Sequence, residues 1–267
     1  MSPKQQAMIV AISTSDSPDM AALGLGYGHL KEAMAELAIQ LLAVDADLAY
    51  GGDLREHGFS QLLLQLVLRY TSTSDLRSRT RVTNHLAWPV HIGTSVDQLD
   101  ELAAELQGVA ELKLLKRDGT PMTMEIRRNL PTHDPSQDEW FSGLTAMRKF
   151  QSSSTDARVL LGGQVTNYKG RMPGVAEEAL LSLRAGQPLF LIGGFGGCTR
   201  DMAETLGLVE PWSESRNCWP GREEFKQWGG GDLNNGLSEE ENEILAATPF
   251  IGQAVVLVLR GVQRLRK

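Results

Sequence analysis

Apolar positions along the chain alternate between short continuous runs and stretches with a helical repeat. Met8 to Ile12 is an apolar run of strand length. Leu30, Met34, Leu37, Leu41 and Val44 then recur at the spacing of one helix face, which predicts a helix over roughly 29–44. Asp47 to Tyr50 predicts a second strand, and Phe59, Leu62, Leu63, Leu66 and Tyr70 a second helix. Leu86 to Ile92 reads as a third strand. Pro89 would sit at its edge or at a bulge, because proline has no N–H to give to a ladder. Val96 to Leu106 reads as a third helix.

The rhythm then changes. Asp118-Gly119 is a hairpin signal between two strand-like runs in Glu111 to Ile126. Asp134-Pro135 reads as an N-cap followed by a first-turn proline, opening a helix that carries Trp140, Phe141, Leu144, Met147 and Phe150 and ends at Ser152 to Ser154. Regular alternation resumes with strand Arg158 to Leu161, helix Val175 to Arg184, strand Pro188 to Ile192 and a helix from Thr199, its expected N-cap, to Leu206. Trp212 to Asn235 is rich in glycine, tryptophan and charge, and reads as irregular. Ser238 and Glu241 form a capping box. Val255, Leu259 and Val262 suggest a last helix, though Ala254 to Leu259 also fits a strand. Strands alternating with helices predict an α/β fold with a mostly parallel sheet flanked by helices. Residues 1–210 would form the domain, with an insertion at about 108–155, and 211–267 a helical C-terminal extension packed on it.

Composition narrows the function. With 42% hydrophobic and 22% charged residues over 267 positions, the chain is an ordinary folded protein rather than a disordered one. Its net charge of −7 argues against general nucleic-acid binding and leaves room for a local anion pocket. Two cysteines, Cys198 and Cys218, exclude a disulfide framework and a Cys-rich zinc site. Cys198 reads as a small turn residue, and Arg77, Arg79 and Arg81 as a solvated basic stretch. The five histidines lack ligand spacing, so no metal is expected, and no cofactor. Met1 to Ala7 has no apolar signal core, and no apolar run approaches the roughly 20 residues of a membrane span. The expectation is a soluble cytoplasmic protein that does not touch a membrane.

The candidate chemistry sits where strands end. These ends are Ser13-Thr14-Ser15-Asp16, Gly51-Gly52-Asp53-Leu54-Arg55, Gly162-Gly163-Gln164 and Gly193-Gly194-Phe195-Gly196-Gly197. In a parallel sheet all would lie on one edge, where such folds bind ligands. Glycines let a backbone approach a ligand closely, and the N–H groups of a following helix suit an anion. The Gly193 to Gly197 turn fits phosphate best, though tight packing also calls for glycine. It is neither a dinucleotide fingerprint G-x-G-x-x-G after the first strand nor a Walker loop. Ser13, Thr14 and Ser15 could give hydroxyls to phosphate. Asp53 could hold a ribose, and Arg55 a phosphate. In Tyr168 to Glu178, Lys169 and Arg171 supply cations, while Pro173 and Gly174 shape a turn. Glu177 and Glu178 fall in a first helical turn, where the macrodipole alone would favour them. Either could instead bind ribose hydroxyls or stabilise an oxocarbenium-like transition state.

Three stretches carry a family likeness: A-Y-G-G-D-L-R-E-H-G-F at Ala49 to Phe59, G-R-M-P-G-V-A-E-E-A at Gly170 to Ala179, and L-I-G-G-F-G-G at Leu191 to Gly197. Together they resemble the SLOG superfamily of SMF/DprA and LOG proteins over roughly residues 8–208. They look most like the prokaryotic branch related to the N-terminal domain of melastatin-type channels. The resemblance implies a Rossmann-like fold and a ribose-phosphate ligand of the ADP-ribose, NAD-derived or cyclic-nucleotide class, sensed in bacterial signalling or defence. LOG enzymes carry P-G-G-x-G-T-x-x-E and release a base from a nucleoside monophosphate. Here the proline is missing, Gly197 stands where threonine belongs, and Asp201 is the nearest acid. The alternative is a LOG-type N-glycosidase or nucleotide hydrolase using Glu178 or Glu177. As no fused effector is recognisable, the chain would need either a separate effector protein as partner or an activity of its own, and it is expected to form a homo-oligomer.

Overall fold

The computed structural model describes residues 7–52, 58, 61–63, 65–66, 80–108, 110–212 and 218–266. Among these, seven strands form one sheet in the order β5-β4-β3-β2-β1-β6-β7. The strands are β1 (Ile9–Ser15), β2 (Asp47–Gly51), β3 (Val82–Leu86), β4 (Ala110–Leu115), β5 (Pro121–Met122), β6 (Ala157–Gly162) and β7 (Leu189–Ile192). All neighbours pair in parallel except β5, which runs antiparallel to β4 at one edge. β1 lies inside the sheet: β2, β3 and β4 follow on one side, and β6 and β7 on the other.

Helices cover both faces. On one face α1 (Tyr27–Ala43) and α9 (Ile251–Leu265) pack on Val10, Ile12, Leu48, Val159, Leu161, Phe190 and Ile192. On the other, α6 (Gly174–Arg184) and α7 (Gly197–Thr205) pack on Leu160, Leu189 and Leu191. The two sets alternate along β6 and β7, as the period of two in a strand requires. Near the β4 edge, α2 (Trp88–Ile92), α3 (Val96–Glu105) and α4 (Met124–Arg128) flank the sheet. α5 (Gln137–Ser153) lies against α2 and α6. The remaining helix, α8 (Glu239–Ala247), packs on the end of β7. The architecture is α/β and Rossmann-like.

Several boundaries differ from those predicted. Of the run at Leu86 to Ile92, only Leu86 lies in a strand, as the last residue of β3. That strand spans Val82–Leu86, and Trp88–Ile92 is a short helix with Pro89 in its first turn, where the missing N–H costs nothing. Thr83, Asn84 and His85 disguise β3 as polar sequence. The stretch read as an insertion opens with β4, which joins the main sheet parallel to β3. Gly119, at φ 86°, closes the β4–β5 turn. α5 is capped by Ser136 and Glu139, two residues beyond the predicted Asp134. α9 takes the helical alternative at Ala254 to Leu259. The predicted helix over Phe59 to Tyr70 falls mostly outside the described residues.

Candidate functional site

The chain leaves β1 toward β2 on one side and later returns to β6 on the other. That reversal opens a crevice at the carboxyl ends of the strands. A cleft of about 560 Å³ lies there. Its sheet edge is Ser13 to Asp16 with Tyr50, Gly51 and Gly52. One wall is α5, through Trp140, Leu144, Met147 and Arg148; another is Gln164, Asn167, Tyr168 and Lys169 with Gly174, Val175 and Glu178. Gly51 lets α5 come close, since a Cβ there would stand 2.9 Å from the Met147 sulfur. Gly174 makes room for Arg148, whose Nη2 would lie 2.6 Å from a Cβ.

The floor is a buried charge network. Arg158, wholly buried on β6, donates from Nη1 to Ser13 Oγ (2.8 Å), Gln151 Oε1 (2.9 Å) and Glu178 Oε2 (3.1 Å), and from Nε to Ser182 Oγ (3.0 Å). Burial lowers its pKa, opposed by the Glu178 carboxylate. Arg148 donates to Glu177, as does the Thr145 hydroxyl, and its Nε lies 3.5 Å from Glu178 Oε1. Two guanidinium groups thus face two carboxylates. Alongside, Gln151 Nε2 is 3.4 Å from His85 Nδ1. Burial, with Lys113 and Arg158 nearby, pulls the His85 pKa down to about 4, so this ring is neutral at pH 7.

The three hydroxyls of β1 have different fates. They lie in the strand rather than beyond it, since Ser15 pairs with Gly162. Ser13 accepts from Arg158, and Ser15 Oγ accepts the Gln164 N–H at 2.9 Å. Thr14 Oγ1 is buried and has no hydrogen-bond partner among the described residues. At the mouth, Lys169 Nζ lies 3.8 Å from the centroid of the Trp140 ring. Asn167, between Gln164 and Lys169, holds a left-handed φ of 56°.

The Gly193 to Gly197 turn does not line this cleft. A Cβ on Gly193 or Gly194 would strike the carbonyls of Ala246 and Thr248 in the C-terminal extension. One on Gly196, at φ 72°, would lie 2.6 Å from Asp19 Cβ. The Asp19 carboxylate accepts the Gly197 N–H at 2.7 Å, so the chain's own anion sits at the α7 N-terminus. Gly196, not Thr199, holds the N-cap position; Thr199 is buried inside the first turn. Gly162 and Gly163 have φ of 65° and 107° and back onto the start of α7. A Cβ on Gly163 would meet Cys198, whose buried thiol has its pKa pushed up by burial and by Asp201.

Of the residues singled out from sequence, the cleft gathers Ser13, Thr14, Ser15, Gly51, Gly52, Lys169, Gly174 and Glu178. Arg171 and Glu177 instead line a second groove of about 920 Å³, on the side of α5 and α6 that carries Phe141 and Phe150. Pro173 is the buried N-cap of α6. Asp53 and Arg55 lie outside the described residues. Arg148 and Trp140 were not among the expected site residues, although Trp140, Leu144, Met147 and Arg148 share one helical face in the sequence. Among the described residues no group of three or more His, Cys, Asp or Glu side chains could hold a metal, and no helix is long and apolar enough to cross a membrane.

Fold and site together define a Rossmann-like α/β domain with a cleft at the switch point of its sheet, lined by both polar and apolar side chains. The family model described as SLOG cluster2 matches residues 4–228, and the chain belongs to this SLOG family. A search of curated proteins finds no match. The family match stops before α8 and α9, yet the backbone around Ala246 and Thr248 is what fills the glycine turn.

Proposed function

We propose that this protein binds a ribose-phosphate nucleotide ligand, of the ADP-ribose, NAD-derived or cyclic-nucleotide class, in the strand-end cleft. Its role would be that of a cytoplasmic sensor in bacterial signalling or defence, acting on a separate effector and working as a homo-oligomer. The observation that carries the reading is the cleft at the switch point of a SLOG sheet. It combines an unpartnered buried hydroxyl at Thr14, an aromatic wall at Trp140, and the cation Lys169 at its mouth.

The geometry favours binding over cleavage. Both oxygens of Glu178 face guanidinium groups, so its charge is already compensated. A carboxylate so held is a poor stabiliser of a developing cation. Glu177, the other acid considered, is turned toward the second groove. The test is a thermal-shift panel of ADP-ribose, NAD, cyclic and linear adenine and guanine nucleotides, followed by chromatography of the ligands after long incubation. A rise in melting temperature with ligands recovered intact is expected. No shift at millimolar concentration would refute the binding site, and release of free base would favour the hydrolase instead.

A further inference from the structure

The face that α5 turns to the cleft runs from aromatic to cationic. Trp140, Leu144, Met147 and Arg148 all line the cleft, and eight residues at 1.5 Å rise set the ends about 12 Å apart. Arg148 ends on the floor, where Arg148 and Arg158 are matched by Glu177 and Glu178. That floor has no net charge to offer an anion. It offers instead hydrogen-bonding groups, the Glu178 carboxylate and the unpartnered Thr14 Oγ1, which suit sugar hydroxyls.

The other end is different. Trp140 is half-buried at the start of α5, and one face of its ring carries the Lys169 ammonium. The ring is the partner of the ammonium: no carboxylate of the described residues lies within ion-pairing distance of Lys169. The contact is a cation–π interaction, held by the ring quadrupole. An aromatic base can take the same face by stacking. The ammonium it displaces then needs an anion, and a ligand that carries a phosphate beside its base supplies one.

We propose that Trp140 is the stacking platform for the base of the ligand, and that Lys169, exchanged off the ring, pairs with the phosphate of the same ligand. The site therefore selects a nucleoside phosphate over either half alone. This rests on the nucleotide reading of the cleft and specifies how that ligand is recognised.

The test is calorimetric titration of the full chain with adenosine monophosphate, adenosine and ribose 5-phosphate as probes. Wild type is compared with Trp140→Leu, Trp140→Phe and Lys169→Met. Trp140→Leu should weaken adenosine monophosphate and adenosine about tenfold or more and leave ribose 5-phosphate unchanged. Trp140→Phe, which keeps a ring, should recover most of the loss. Lys169→Met should weaken both phosphates about tenfold while adenosine binds as well as or better than before, having no ammonium to displace. Binding of adenosine monophosphate that is indifferent to Trp140→Leu would overturn this proposal and leave the nucleotide reading standing. So would equal losses of all three probes, which would mark a structural role. Failure of wild type to bind any of these probes, ADP-ribose or NAD would overturn both.

Discussion

Two glycine-bearing strand ends of this protein look alike in sequence and serve opposite purposes. At the end of β2, Gly51 and Gly52 border an open cleft, and Gly51 is small so that α5 can close over it as a wall. After β7, Gly193 to Gly197 line neither that cleft nor the groove beside α5 and α6. The carbonyls of Ala246 and Thr248 press on the first two glycines, and the Asp19 carboxylate holds the amide of the last. A glycine at a strand end thus announces a close approach without saying what approaches. At β2 it is a helix framing a pocket; at β7 it is the chain's own C-terminal segment.

The largest expected effect lies on the cleft side. Arg158→Met would leave Glu178 buried with half its compensation and should cost about 3–5 kcal/mol in urea unfolding. A cost below about 1 kcal/mol would mean the floor network is dispensable.

Acid should lower the stability of the whole fold next. His85 and His91 both have pKa values lowered to about 4 from 6.5, chiefly by burial. Between those values the unfolded chain binds protons that the folded chain refuses, so stability falls as pH drops. The loss should reach about 2–3 kcal/mol for each histidine between pH 7 and 4.5. Glu139 and Glu241 have pKa values lowered to about 2, Glu139 chiefly by the Ser136 N–H and Glu241 chiefly by Arg264. The stability they add is present above their ordinary value of 4.5 and is lost below it. A decline confined to pH below 4.5 would therefore assign it to the carboxylates and refute the histidine account.

On the turn side, Gly194→Ala should cost about 2–3 kcal/mol, because the new methyl meets backbone at Thr248 rather than a side chain that can turn away. Nucleotide affinity measured on the folded fraction should stay near wild type. Lost affinity with intact stability would show that the turn holds ligand after all.

The smallest effect sharpens the contrast most. Asp19→Ala removes the carboxylate at the α7 N-terminus and should cost about 1 kcal/mol. With that place vacated, inorganic phosphate should stabilise the variant no more than wild type if the turn serves packing. Phosphate stabilisation seen in the variant alone would mean that Asp19 occupies an anion site.

Much of the fold was legible because burial leaves a periodic trace. The faces of α1 and α6 and the apolar runs of β6 and β7 follow directly from which residues must avoid water. The misreadings share a cause. β3 carries Thr83, Asn84 and His85, and two of these are buried polar residues that no apolar pattern reveals. Its apolar neighbours at Trp88 to Ile92 then passed for the strand. The hairpin from β4 to β5 was legible, since its turn is a local signal, while the parallel pairing of β4 with β3 is not local. Within the site, Ser13 to Ser15, Gly51, Gly52 and Glu178 were legible as strand-end or first-turn chemistry. Arg148 was not, because on α5 it is one charged residue among several, and only its position beside Glu177 and Glu178 distinguishes it.

The sequence by itself determined the alternation of strands and helices, and with it a parallel sheet whose strand ends share one edge. Hydrophobic periodicity and capping residues act within a few positions of the chain, and one sequence displays both. Tertiary structure decided which strand end stays open, which acid faces the cleft and which cation stands at its mouth. Those outcomes depend on contacts between residues far apart in the chain, Asp19 with Gly197 or Thr248 with Gly194, and local pattern carries no record of such distances.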